Sequence, residues 1–75
     1  MNNLKYVVTD ENDFAIFTTL TEHRKIGDSL FGKPVGAGFV TRDEQGNFKC
    51  YGESISLNLK SRKEDEVIIN KTITN

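Results

Sequence analysis

The stretch Val35-Gly36-Ala37-Gly38-Phe39-Val40-Thr41-Arg42-Asp43-Glu44-Gln45-Gly46-Asn47-Phe48-Lys49-Cys50-Tyr51 decides the fold. Two apolar-rich segments flank a polar turn, in which Gly46 or Asn47 can take the positive φ that a tight reversal needs. The stretch is predicted to be a β-hairpin. Gly36 and Gly38 alternate with Val35, Ala37 and Phe39, so one face of its first strand is bare. A helix or another backbone can approach such a face closely.

Toward the N-terminus, Leu4-Lys5-Tyr6-Val7-Val8-Thr9 alternates and is β-branched, which predicts a strand with Leu4, Tyr6 and Val8 on one face. Asp10, Glu11, Asn12 and Asp13 form a polar turn. Residues 14–20 then predict a second strand, with Phe14, Ile16, Thr18 and Leu20 on one face and Ala15 and Phe17 on the other. Between the two hairpins, Thr19 or Thr21 can cap a helix, and His23, Ile26 and Leu30 recur at helical spacing. Gly32 suits a left-handed terminus and Pro34 forbids continuation, while Gly27 weakens the helix from within.

Downstream, the last strand of the hairpin is predicted to run on past Tyr51 through Ile55, Leu57 and Leu59. The apolar residues change parity along it, from even at Phe48 and Cys50 to odd at Ile55, Leu57 and Leu59. A one-residue slip inverts the faces, and Gly52-Glu53 is the natural place for a bulge or bend that absorbs it. Ser61-Arg62-Lys63-Glu64 matches the capping box and predicts a second helix from Ser61, with Val67 and Ile68 facing the core. Its β-branched tail, residues 67–73, predicts a short or frayed end.

The order β-β-α-β-β-α belongs to the α+β class. Residues 1–75 are expected to form a single small domain. Two hairpins and two short helices are expected, with an antiparallel sheet of four or more strands packing one or both helices on one face. The expected core is Tyr6, Val8, Phe14, Ile16, Ile26, Leu30, Phe39, Phe48, Cys50, Val67 and Ile68.

A chain of 75 residues supports one marginal core. Cys50 is the only cysteine and His23 the only histidine, so an internal disulfide and a Cys/His zinc site are both excluded. Stability must come from packing or from self-association. Ten Lys and Arg stand against eleven Asp and Glu, a net charge of −1 that weighs against bulk nucleic-acid binding. No apolar run is long enough to cross a membrane. The start Met1-Asn2-Asn3-Leu4-Lys5 lacks the pattern of a signal peptide. With a lone cysteine, that leads us to expect the cytoplasm.

Cys50 and His23 are the only possible thiol–imidazole pair, but Cys50 sits in a strand pattern beside Phe48, and His23 sits among charged neighbours at a helix start, where it is expected to be solvated. Asp10, Glu11 and Asp13 lack the glycine turn and the distal glutamate of a calcium loop, and a solvated turn is the expected reading. Asp43 and Glu44 read the same way. Gly32-Lys33-Pro34 does not fit a phosphate loop, because Lys33 is followed by proline and then a strand. No enzyme activity, cofactor or metal is expected.

Two binding surfaces remain. The first is Ser54, Ile55, Ser56, Leu57, Asn58 and Leu59, an uncharged alternating segment suited to edge-to-edge pairing with another chain. The second is a sheet face carrying Phe39, Arg42, Lys49, Tyr51, Lys60 and Arg62, which could stack on and neutralise single-stranded nucleic acid. The leading expectation is a non-catalytic protein-interaction or modulator module that self-associates as a homo-oligomer, of the kind found among small bacterial, phage or mobile-element proteins. Single-stranded nucleic-acid binding is the alternative.

Overall fold

The computed structural model describes residues 3–74. The elements are β1 (Leu4–Thr9), β2 (Phe14–Phe17), α1 (His23–Gly27), β3 (Pro34–Arg42), β4 (Phe48–Tyr51), β5 (Glu53–Ser54), β6 (Leu59–Lys60) and α2 (Lys63–Thr74). β1 to β4 form one antiparallel sheet in the order β2-β1-β3-β4, and β5 and β6 form a separate ribbon. This is the α+β architecture that the two hairpins predict.

Strand register sorts the sheet residues by parity. Tyr6 lies opposite Ile16 and Gly38, Val8 opposite Phe14 and Gly36, and Val40 opposite Leu4 and Cys50. α2 covers this even face. Tyr6, Val8, Val40 and Ile69 form the buried cluster, and Leu4, Phe14, Ile16, Phe48, Cys50 and Ile68 pack against it. The odd face carries Val7 and Ala37, also fully buried, and α1 lies on it. The two helices therefore flank the sheet on opposite faces, not on one face as expected. A sheet apolar on both sides needs two covers.

That arrangement corrects four core expectations. Ile26, Leu30 and Phe39 are only half-buried, away from the main cluster. Val67 is exposed, and Ile69 is the buried residue in its stead. The phase of α2 explains the exchange. Asp65, Ile68 and Ile69 recur at i, i+3, i+4 on the sheet side, which turns Val67 outward.

The phase is set by a carboxylate with no solvent exposure. Asp65 Oδ2 accepts hydrogen bonds from the Tyr6 hydroxyl at 2.6 Å and from the Arg62 backbone N–H at 2.9 Å. Its Oδ1 accepts from Arg62 Nε at 2.9 Å and Nη2 at 2.7 Å. The helix start is thus closed by Arg62 and Asp65, one residue later than the predicted Ser61–Glu64 box. The backbone half of a capping box is present; a Ser or Thr side chain is not needed for it. Room for the carboxylate comes from Gly36, where an added Cβ would collide with both carboxylate oxygens. The bare glycine face is therefore a seat for Asp65.

The two main hairpins turn by the same device. In each, the first residue of a five-residue loop bonds the fifth, from Thr9 N–H to Asp13 C=O and from Asp43 N–H to Asn47 C=O. The fourth residue, Asn12 at φ +61° or Gly46 at φ +86°, supplies the left-handed conformation. The side-chain oxygen of the first residue accepts backbone N–H groups two and four residues on, at Glu11 and Asp13 for Thr9, and at Gln45 and Asn47 for Asp43. Asp10 and Asp13 are not merely solvated, as expected. Asp10 Oδ1 accepts the Lys33 N–H and Asp13 Oδ2 the Phe31 N–H, which ties the loop after α1 to the first hairpin.

Several predicted lengths change. β2 ends at Phe17 instead of continuing to Leu20, and α1 has five residues, with Glu22 at its N-cap position and no side-chain cap bond. Gly32 is left-handed at φ +90°, but in the loop beyond the helix. α2 runs through Thr74 despite its β-branched tail, because packing of one face outweighs propensity.

Gly36→Ala is expected to lower the unfolding free energy by about 2–3 kcal/mol, as overpacking displaces the carboxylate. Tyr6→Phe is expected to cost about 1–3 kcal/mol through the weakened satisfaction of Asp65. Urea titration followed by circular dichroism measures both.

Candidate interaction surfaces

The segment at residues 54–59 is not the flat edge strand that its alternation predicts. The backbone turns at Gly52, φ +76°, where a bend was expected. Glu53 then pairs with Lys60 and Ser54 with Leu59. Residues 55–58 form a turn closed by the Asn58 N–H on the Ile55 carbonyl, with Asn58 left-handed at φ +55°. Ser54 is buried and its hydroxyl accepts the Leu57 N–H at 3.3 Å. Leu57 lies over Gly27 of α1. Ile55 projects alone from the ribbon tip. A left-handed residue at each end of the segment divides it, so Ile55, Leu57 and Leu59 never line one face.

The odd face of the sheet carries a row of rings. Phe17 and His23 meet edge to face at 5.5 Å, His23 and Phe39 at 6.0 Å, and Phe39 stacks on Tyr51 at 5.8 Å. His23 is buried, not solvated as expected. Its Nε2 lies 2.8 Å from the Gly38 carbonyl, which can only accept, so Nε2 carries the hydrogen. Burial lowers the His23 pKa, with a smaller push from the Lys5 ammonium, against the opposing Gly38 carbonyl. An open hollow of about 530 Å³ adjoins this row, walled by Lys5, Glu22, His23, Phe39 and Ile55 among others.

Cys50 and His23 are not brought together. Cys50 packs on the even face beneath α2, whereas His23 stands on the odd face. Burial, aided by the Glu66 and Asp65 carboxylates and opposed by the Tyr6 hydroxyl, pushes the Cys50 thiol up to about 12. At neutral pH it remains a protonated thiol, the form that does not attack electrophiles.

The six residues proposed for nucleic acid are split. Phe39, Lys49 and Tyr51 share the odd face, through the pairs Phe39–Tyr51 and Thr41–Lys49. Arg42 lies over the Phe48 ring on the other face, 5.1 Å from its centroid. Lys60 pairs with Glu53 on the ribbon, and Arg62 is engaged by Asp65.

The two edges of the sheet differ, a feature outside the sequence expectations. At β4 three outward backbone groups are already bonded to side chains of α2. Asn70 accepts the Phe48 N–H at 2.8 Å and donates to the Phe48 carbonyl at 3.0 Å, and Glu66 accepts the Cys50 N–H at 2.9 Å. At β2 no strand lies beyond among the described residues. The Thr9–Asp13 bond sets the phase of the ladder, so Ala15 and Phe17 bond toward β1 while the backbone groups of Phe14 and Ile16 point outward. The Phe14 N–H is taken by the Asp13 carboxylate at 3.0 Å. Near the two ends of this edge stand two large apolar side chains, Leu20 at 95% and Phe31 at 81% exposure; Ile55, at 88%, is on the ribbon tip. A clue to the edge was present in the sequence. Residues 14–21 form an uncharged run, without the lysines that blunt exposed edges.

No protein-family model, curated protein or solved structure matches the chain. Among the described residues no cluster of His, Cys, Asp and Glu could hold a metal ion, and no helix is long and apolar enough to cross a membrane.

Because the folded state favours neutral His23, the unfolded chain binds more protons below the ordinary histidine pKa of 6.5. Stability is expected to be full above that pH and to decline as pH falls through and below it. Urea midpoints measured between neutral pH and the carboxylate range check this. In His23→Gln, which keeps a donor for the Gly38 carbonyl, the decline across that window should flatten.

Proposed function

We propose that the protein is a non-catalytic interaction module of the cytoplasm that self-associates and binds or modulates protein partners. The observation that supports this most is the exposure of Leu20, Phe31 and Ile55 on so small a domain, the first two beside an unpaired sheet edge. Large apolar side chains flanking an unpaired strand offer contact area that another protein can cover. The separation of Cys50 from His23 and the protonated state of the thiol favour binding over nucleophilic chemistry.

A second reading draws on one specific feature. Phe39, Tyr51 and Lys49 form a stacked, singly basic patch on the odd face, which suits the bases and backbone of single-stranded nucleic acid.

Light scattering across a wide range of chain concentration, joined to a tagged pull-down with and without nuclease, tests both. A mass above that of the monomer, or a defined protein retained in both pull-downs, is the expected result. A monomer at every concentration with nothing retained overturns the module reading. Capture that disappears with nuclease, and salt-sensitive binding of oligonucleotides that Tyr51→Ala weakens, would support the second reading.

A further inference from the structure

We infer that the β2 edge pairs with the β2 edge of a second copy, antiparallel about a two-fold axis, to form one continuous eight-stranded sheet. The inference rests on the self-associating reading above and names its surface.

Three observations carry it. The first is the asymmetry of the edges. Asn70 and Glu66 occupy both outward groups of Phe48 and the Cys50 N–H, so α2 side chains stand where a strand would add to β4. Of the two edges of the four-stranded sheet, β2 is the open one among the described residues, and its Ile16 backbone N–H and C=O face outward. With a single open edge per chain, pairing between copies joins β2 to β2 and closes at two; a filament would need a second open edge.

The second is charge. Residues 14–21 read Phe-Ala-Ile-Phe-Thr-Thr-Leu-Thr and carry no charged side chain. Two copies can lie side by side without repulsion, and the stretch offers no charge to select a strand of opposite sign.

The third is the placement of the exposed apolar residues. Leu20 follows the C-terminal end of β2, while the Phe31 backbone is hydrogen-bonded to Asp13 at its N-terminal end. An antiparallel partner brings the end of one strand to the start of the other. Centred on Ile16, the pairing brings the turn that follows Phe17, with Leu20, to the Asp13 end of the mate's β2, and hence toward the mate's Phe31. Both outlying side chains find a partner in one symmetric arrangement, which places them twice, at the two ends of the joint.

The test uses the full chain and three variants. Thr18→Pro removes an outward N–H just past β2, at an exposed position where an edge tolerates proline. The double variant Leu20→Ser/Phe31→Ser removes the flanking apolar contacts from exposed sites. Ile55→Ser removes the ribbon tip and serves as the control. Sedimentation equilibrium is expected to give the wild type twice the 8.5 kDa chain mass at high concentration. Thr18→Pro and the double variant should each weaken the dimer at least about tenfold, with circular dichroism unchanged, and Ile55→Ser should leave it intact. The Ile16 amide should exchange more slowly as concentration rises. A dimer lost in Ile55→Ser and kept in the other two variants overturns β2 pairing while sparing self-association. A dimer that none of the three weakens, with Ile16 exchange independent of concentration, also overturns it. A wild type that stays monomeric throughout removes both.

Discussion

The Asp65 carboxylate, wholly removed from water, is the constraint on which the rest of the structure depends. An ionised carboxylate leaves water only if its oxygens are bonded and its charge is met. Here the Tyr6 hydroxyl, the Arg62 backbone N–H and the Arg62 guanidinium do both. These contacts join the first strand to the last helix across 59 residues. They also fix where α2 begins and which of its residues face the sheet. Burial and the neighbouring carboxylate push the Tyr6 hydroxyl well above its ordinary range, so it stays protonated and stays a donor. Gly36 completes the arrangement by having no side chain where the carboxylate must sit.

Once α2 is seated in this way, the fate of the β4 edge follows. Glu66 adjoins Asp65 and Asn70 lies just over one turn further on, and both reach over the edge of the sheet. The Asn70 amide bonds the Phe48 N–H and C=O as a neighbouring strand would. The opposite edge has no such helix beside it, because α1 is short and lies over the odd face against Val7, Pro34 and the His23 ring neighbours. One buried polar contact thus orders the molecule into a guarded side and an open one. The exposed Leu20 and Phe31 fall on the open side, at the two ends of β2.

The odd face shows what a small domain does with a short helix. α1 has too few residues to bury a long apolar stripe, so rings fill the space instead. His23 is held neutral between Phe17 and Phe39, anchored by its bond to the Gly38 carbonyl. The β5–β6 ribbon closes the remaining flank by laying Leu57 over Gly27. These elements are local packing solutions, and their stability depends on the sheet to which they are attached.

Alternation and turn chemistry determined much of this protein directly from its sequence. Both hairpins, the parity of Tyr6, Val8, Phe14, Ile16, Phe48 and Cys50, the bend at Gly52 and the α+β class were legible because each rests on neighbours in the chain. The bare face at Gly36 and Gly38 was legible too, as a place of close approach. What the sequence alone did not determine was what came close. Whether Ser61 or Arg62 opens α2, and so whether Val67 or Ile69 is buried, was decided by a contact between residues far apart in the chain. The apolar alternation over residues 55–59 was misleading for the same reason. Left-handed backbone at Gly52 and Asn58, with Leu57 drawn down onto Gly27, outweighed a periodicity only five residues long. The uncharged run at residues 14–21 marks one edge in the sequence, but the guarding of the other belongs to tertiary structure, since it depends on which strand the last helix reaches. Local patterns record the preferences of a few successive residues, whereas a buried carboxylate or a guarded edge exists only once distant segments have met.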